Sequence, residues 1–270
     1  MRWEGAAAGW GRRANRVRDW GMPVSAWMID HLDLQPGQHV LELAAGPGDT
    51  GFLAAELIRP GGTLISSDGT EAMLEVARER ARELGIENVE FKRLELEWID
   101  QPAASVDAIL CRWGVMLSVD PSAALRECRR VLRPGGSLAM AVCDAAPANP
   151  WATIPGQVLV GLGHMAPPDP NAPGMFSLAA LGRLEELLAN AGFVEVLVEA
   201  VELKLSYPGV EEYLAERRDL SRVLSEAYDR LSADQRAEVQ RGVGELVRPF
   251  YAADGSLQLP GSSLVAAAGA

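Results

Sequence analysis

Five residues in the first third of this 270-residue chain have the types and spacing of a cofactor site: Glu42, Gly46, Gly48, Gly51 and Asp68. Val40, Leu41 and Leu43 are apolar enough for a strand buried on both faces, and Gly46 and Gly48 permit a tight strand-to-helix turn after it. Leu53, Ala54 and Leu57 continue at helical spacing. A helix starting there aims unpaired N–H groups and its positive dipole end at whatever sits over the turn. Gly46, Gly48 and Gly51 also satisfy the G-x-G-x-x-G dinucleotide fingerprint, and Asp68 lies at about the distance expected of a ribose-binding acid. Three features argue against a pyrophosphate: residues 1–36 form a helical stretch ahead of the strand, Glu42 repels phosphate, and Pro47 removes a backbone donor from the turn. A cofactor carrying cations near the turn suits Glu42 better.

The elements that must hold these residues alternate. Strands are expected at Val40 to Ala44, Thr63 to Ser67, Val89 to Leu94, Val106 to Cys111 and Ser137 to Cys143. Helices are expected at Thr50 to Leu57, Glu71 to Leu84 and Ala123 to Leu132, with Arg133-Pro134-Gly135-Gly136 as a turn. This pattern predicts an α/β fold, a parallel sheet with helices on both faces. Asp144 to Met175 is rich in Pro, Ala and Gly and reads as a long functional loop with one apolar run, Ile154 to Leu162. Ser177 to Ala191 is a further helix, Val194 to Leu205 a sixth strand, Val210 to Val247 a charged helical insertion on the rim, and Ser262 to Ala268 a closing strand. The expected units are a helical N-terminal lid (1–36), a core (37–143), a Pro-rich substrate-cap insertion (144–176), a continuation of the core (177–206), a helical insertion (207–256) and the closing strand (257–270).

A formal charge of -12 repels phosphate backbones, so nucleic acid is not an expected partner. The densest basic cluster, Arg12, Arg13, Arg16 and Arg18, reads as the solvated face of an amphipathic helix. Cys111, Cys128 and Cys143 are odd in number and widely spaced, which fits neither a disulfide framework nor a metal site. The chain has no signal-peptide pattern and no apolar run of membrane-spanning length, so a soluble, cytoplasmic protein without stable membrane insertion is expected. A homodimer is compatible with this picture.

Leu41-Glu42-Leu43-Ala44-Ala45-Gly46-Pro47-Gly48 and Ser67-Asp68-Gly69-Thr70-Glu71-Ala72-Met73-Leu74 resemble the first two motifs of the class I S-adenosylmethionine-dependent methyltransferases, particularly the group that includes the menaquinone and ubiquinone pathway enzymes. Phe91 to Glu97, Asp107 to Gly114 and Leu125 to Leu138 resemble the later motifs. The resemblance covers residues 37–143 strongly. It implies a Rossmann-like, seven-stranded, mostly parallel sheet and S-adenosylmethionine as cofactor, with no metal. By the resemblance, Glu42, Ala44, Gly46 and Gly48 surround the methionyl part, and Asp68 with Gly69 takes the ribose hydroxyls. Met73 packs on adenine, Glu95 and Leu96 stand where the family usually has Asp and a small residue, and Cys111 and Arg112 lie beneath the methyl group. The alternatives are a non-catalytic binder of the same cofactor and an NAD-dependent oxidoreductase.

Acceptor chemistry is less legible. Trp3, Trp10, Trp20 and Trp27 either cover the core or line a pocket. Trp10, Trp113 and Trp151 are the candidate acceptor contacts, and an aromatic lining favours a hydrophobic or ring-containing small molecule. Of His31, His39 and His164, only His164 falls in the insertion expected over the site, which makes it the candidate base.

Overall fold

The computed structural model describes residues 3–169 and 172–270; Met1, Arg2, Pro170 and Asn171 lie outside the described residues. The apolar runs of the first half form five parallel strands: β1 (His39–Glu42), β2 (Thr63–Asp68), β3 (Val89–Arg93), β4 (Val106–Arg112) and β5 (Leu132–Cys143). β6 (Val194–Tyr207) and β7 (Leu257–Gly269) complete a sheet of order β3-β2-β1-β4-β5-β7-β6, in which β7 alone runs antiparallel to its neighbours β5 and β6. The chain winds outward from β1 to β3 and then returns to place β4 on the other side of β1. That reversal opens a crevice beyond the carboxyl ends of β1 and β4, the usual ligand position in such sheets. The mostly parallel, Rossmann-like α/β fold expected from the alternation is present.

The helices are α1 (Ala7–Asp30), α2 (Asp49–Leu57), α3 (Glu71–Leu84), α4 (Pro121–Val131), α5 (Pro150–Gly161), α6 (Arg183–Asn190), α7 (Val210–Leu220), α8 (Arg222–Asp229) and α9 (Ala233–Val247). Their ends follow local chemistry: Thr70 caps α3 and Gly85 ends it at φ 70°, while Asp120 caps α4 with Pro121 in the first turn. Val40, Leu64, Ala108, Leu110 and Ala139 face one core layer with residues of α1, α2, α3, α5 and α7. Leu41, Leu43, Ile109, Cys111, Leu138 and Met140 face the other, with α4 and α6.

Five segments differ from expectation. α1 is a layer of the core, not a lid resting on it. Val17, Trp20, Val24 and Met28 recur at three- and four-residue spacing and are buried against the sheet, each apolar side chain contributing about 1.5–3 kcal/mol. The arginine cluster is not free in solvent either. Arg12 and Arg13 donate to Asp219 at 2.5 and 2.7 Å, Arg13 also pairs with Glu212, and Arg16 donates to Glu216 at 2.6 Å. These bonds join α1 to α7, so the 207–256 segment packs on α1 and α5 and not merely on a rim.

Residues expected as a Pro-rich loop contain α5, although Pro155 lies inside it. Pro155 cannot supply the N–H that the Trp151 carbonyl would accept in an unbroken helix. The Tyr213 hydroxyl donates to that carbonyl instead, at 2.7 Å, and thereby satisfies it. The expected turn before β5 is absorbed into the strand, because the chain end reaches it: Gly135 N–H donates to Ala270 O at 3.1 Å and Ala270 N–H to Gly136 O at 2.8 Å. The expected helix from Ser177 begins only at Arg183, after Ser177 Oγ has bonded Met116 O at 2.7 Å. Among the described residues no helix is long and apolar enough to cross a membrane.

Candidate functional site

The glycine turn leaves β1 at the switch point. Ala44, Gly46 and Gly48 all have positive φ (50°, 55° and 88°), and Gly48 opens α2 in the left-handed region that a side chain would resist. The outward direction at Gly46 is open: a Cβ placed there meets no atom within 4 Å. Beneath the turn, Glu42 is 3% exposed. Its carboxyl accepts from Gly51 N–H at 2.7 Å and from Ser66 Oγ at 3.2 Å, so it braces the first turn of α2. Gly51 is required by that approach, since a Cβ would lie 2.2 Å from Glu42 Oε2. Burial raises the Glu42 pKa from 4.5 to about 8, against the lowering pull of Gly51 N–H and Arg112. The side chain read from sequence as an anion therefore largely keeps its proton at pH 7 in the ligand-free protein.

Glu42 belongs to a buried polar cluster between the sheet and α1. Asp49, in the first turn of α2, pairs with Arg80 of α3 at 2.7 Å, and Arg80 also donates to Asn15 of α1 at 2.9 Å. Ser25 of α1 bonds Thr50 at 2.9 Å. Burial raises Asp49 above the ordinary carboxylate range despite Arg80. Arg112, at the end of β4, packs its guanidinium against Gly21 of α1, and burial lowers its pKa against the opposing pull of Asp49 and Glu42. Two enclosed atoms of this cluster, Asp49 Oδ2 and Arg112 Nη1, have no hydrogen-bond partner among the described residues. One is an acceptor and the other a donor. Cys111 points the other way, into the opposite core, where burial pushes its thiol up to about 12.

Asp68 ends β2 and is half-buried. Its Oδ2 accepts from Gly46 N–H and its Oδ1 from Thr70 N–H, both at 3.1 Å, so one carboxylate ties the glycine turn to the start of α3. Burial raises its pKa against these lowering bonds. The helix cap itself is Thr70, whose hydroxyl accepts from Met73 N–H at 3.4 Å. Met73 is buried, and Glu95 is exposed beside Gly69, with Oε2 3.4 Å from where a Cβ of Gly69 would lie. Leu96 is half-buried against the second core layer. Asp68 thus meets Gly46 at the switch point with Glu95 beside Gly69, while Glu42 and Arg112 lie in the buried cluster under α1.

The tryptophans assemble differently from the expectation. Trp113 follows Arg112 with φ 59°, a strained value for a bulky residue, and lies 5.1 Å from Trp20 in a stacked arrangement. Trp20 in turn lies 5.4 Å from Trp151. Arg112 caps one end of this stack, 4.5 Å over Trp113, and Arg217 of α7 the other, 4.5 Å over Trp151. Trp10 is not part of it: its indole donates to Leu220 O at 3.2 Å and sits edge-on to Trp3. Trp20 takes the place expected of Trp10, and its signal was its membership of the Val17, Trp20, Val24, Met28 stripe. His164 lies three residues beyond Gly161, the last residue of α5, which is itself about 15 Å along the helix axis from Trp151, so it sits at the far end of α5 from the indoles.

Residues 34–159 match the methyltransferase domain family. The chain is 29% identical over 239 residues to nocamycin O-methyltransferase of Saccharothrix syringae, covering 85% of this chain and 84% of that one. It is 34% identical over 123 residues to the ubiquinone/menaquinone biosynthesis C-methyltransferase UbiE of Hahella chejuensis, covering 45% of this chain and 49% of that relative, about half its length. These matches make the chain similar to methyltransferases, over residues 34–159 by the domain family and along most of its length by the O-methyltransferase. The fold agrees: the crystal structure of YcgJ from Bacillus subtilis superposes with a TM-score of 0.60 at 18% identity, covering 91% of this chain and 97% of that one. The methyltransferase match includes the glycine turn, Asp68, Arg112, Trp113 and Trp151. It leaves α1 with Trp20, and α7 with Arg217, outside.

Proposed function

We propose that this protein transfers a methyl group from S-adenosylmethionine to a small, hydrophobic or aromatic acceptor that docks against the indole stack. The observation that carries the reading is Asp68 bonded to Gly46 N–H at the switch point, beside a turn whose outward direction is open. The residues fit the cofactor. Asp68 has lone pairs left for a ribose diol, with Gly69, Met73, Glu95 and Leu96 on the adenine side. Ala44, Gly46 and Gly48 line the methionyl side. The unpartnered Asp49 Oδ2 and Arg112 Nη1 suit the ammonium and carboxylate of an amino-acid end group.

When bound, S-adenosylmethionine supplies a methyl carbon already activated by its sulfonium, for in-line displacement by the acceptor. The chain's own residues then have to orient and enclose. α1 and α5 cover the crevice with Trp20 and Trp151, which excludes water. Such positioning supplies up to about 7–11 kcal/mol in the most favourable cases. No acidic group of the protein is required by the leaving thioether.

Calorimetry tests the cofactor assignment. S-adenosylhomocysteine is expected to bind at micromolar affinity, and Asp68→Ala to weaken it by roughly 1.5–3 kcal/mol, the scale of hydrogen bonds to a charged group. Binding of NAD without any response to S-adenosylhomocysteine overturns the proposal.

A further inference from the structure

Arg217 is a buried cation without a counter-ion. It is 5% exposed, and among the described residues no carboxylate lies within ion-pair distance of it. Its neighbour Glu216 turns instead to Arg16 at 2.6 Å and to the Tyr207 hydroxyl at 2.7 Å. Asp144, which flanks Cys143 near Arg217, is engaged by Ala145 N–H and Ser262 Oγ. The Tyr213 hydroxyl is spent on Trp151 O. Burial pushes the Cys143 thiol up to about 12, so it stays neutral. Removing a charge from water without a partner costs several kcal/mol, and such a group is expected to meet an anion in the working state.

A second donor points the same way. The indole N–H of Trp113 is taken by Ser263 Oγ and that of Trp151 by Asn149 Oδ1, each at 2.9 Å. Trp20, between them and 9% exposed, has an enclosed Nε1 with no acceptor, as does Arg217 Nε. Two unsatisfied N–H donors, one of them charged, therefore accompany three indoles packed on one another. A ligand that completes this set carries an ionised oxygen on an apolar body.

Taking the indole stack as the acceptor platform, as in the proposed function, we infer that the acceptor is an organic oxyacid. Its carboxylate or enolate oxygen is held by Arg217 beside Trp151, with the Trp20 indole N–H as the second donor. Arg217 acts here in recognition, and the anchored oxygen need not be the atom methylated.

The test uses the full chain saturated with S-adenosylhomocysteine and two matched probe pairs, 1-naphthoate with 1-naphthamide and indole-3-acetate with indole-3-acetamide. Binding is read by tryptophan fluorescence and calorimetry. The acids are expected to bind about tenfold or more tightly than their amides. Arg217→Met is expected to abolish that difference while leaving S-adenosylhomocysteine affinity unchanged, and Arg217→Lys to retain part of it. Should Arg217→Met fail to fold, Arg217→Lys and the acid-to-amide ratio of the unmodified protein decide. Equal binding of acid and amide, no binding of either acid, or an undiminished ratio in a folded Arg217→Met protein overturns the inference. Loss of S-adenosylhomocysteine binding by the unmodified protein overturns the methyltransferase reading itself, so the two failures are distinct.

Discussion

Glu42→Gln isolates the electrostatic cost of the glycine turn. Glu42 Oε1 accepts from Gly51 N–H and Oε2 meets Ser66 Oγ. A glutamine can keep the first contact through its carbonyl and offer its amide to the serine oxygen, so the shape survives and only the titration is removed. In the unfolded chain the carboxyl ionises near its ordinary 4.5, whereas in the folded protein it holds its proton to about 8. Between these values the folded state binds one proton more than the unfolded state, and stability falls as pH rises by about 1.4 kcal/mol per pH unit. The stabilisation is fully present below pH 4.5 and fully lost above about pH 8. The unmodified protein should therefore lose about 5 kcal/mol relative to Glu42→Gln across that window, a large share of a typical domain stability of 5–15 kcal/mol. Urea unfolding of both proteins, followed by circular dichroism at each pH from about 5 to 9, measures the difference directly. Parallel stability profiles for the two proteins would refute the assignment of a raised pKa to Glu42.

Gly51→Ala places a methyl group 2.2 Å from Glu42 Oε2 and is expected to destabilise by about 1–3 kcal/mol, with a smaller loss in a Glu42→Ala background; a double-mutant cycle in urea reads the coupling. Arg12 is 63% exposed on its side chain, and Arg12→Ala should cost at most about 1 kcal/mol and less at high salt. Arg16→Ala strips an ion-pair partner from Glu216, which is 0% exposed, and should cost about 3 kcal/mol or more with little response to salt. Equal losses for the two arginine variants would remove Glu216 from the account of how α7 is held.

The parallel core was legible because each β-α unit carries its own punctuation: Thr70 and Gly85 bound α3, and Asp120 with Pro121 opens α4. Asp68 and the glycine turn were legible for the same reason, since their roles depend on backbone geometry within a few residues. The raised pKa of Glu42 was not legible, because it follows from burial under α1, whose first residue lies 35 positions earlier in the chain. α5 was hidden by Pro155, and nothing local announces that a tyrosine 58 residues later will bond the carbonyl that the proline leaves free. Trp20 was recoverable from the stripe at Val17, Val24 and Met28, which outweighs the mere number of tryptophans. Arg217 was not recoverable, because in a helix written Glu-Glu-Tyr-Leu-Ala-Glu-Arg-Arg-Asp the buried charges look the same as the solvated ones.

The two halves of the site are built by different physics. The proposed cofactor side, within residues 40–112, is built from strand ends and one tight turn, where the backbone fixes position. The proposed acceptor side draws on α1, α5 and α7, and its geometry rests on how α7 is rotated. Glu216 sets that rotation: with one oxygen on Arg16 and the other on Tyr207, it turns its face of α7 toward α1 and β6. The next residue, about 100° around the helix, is then directed onto Trp151. The same ion pair that fastens α1 to α7 therefore aligns Trp20 with Arg217. In the proposed reading, acceptor choice depends on α1, α5 and α7, which Glu216, Asp219 and Tyr213 fasten together.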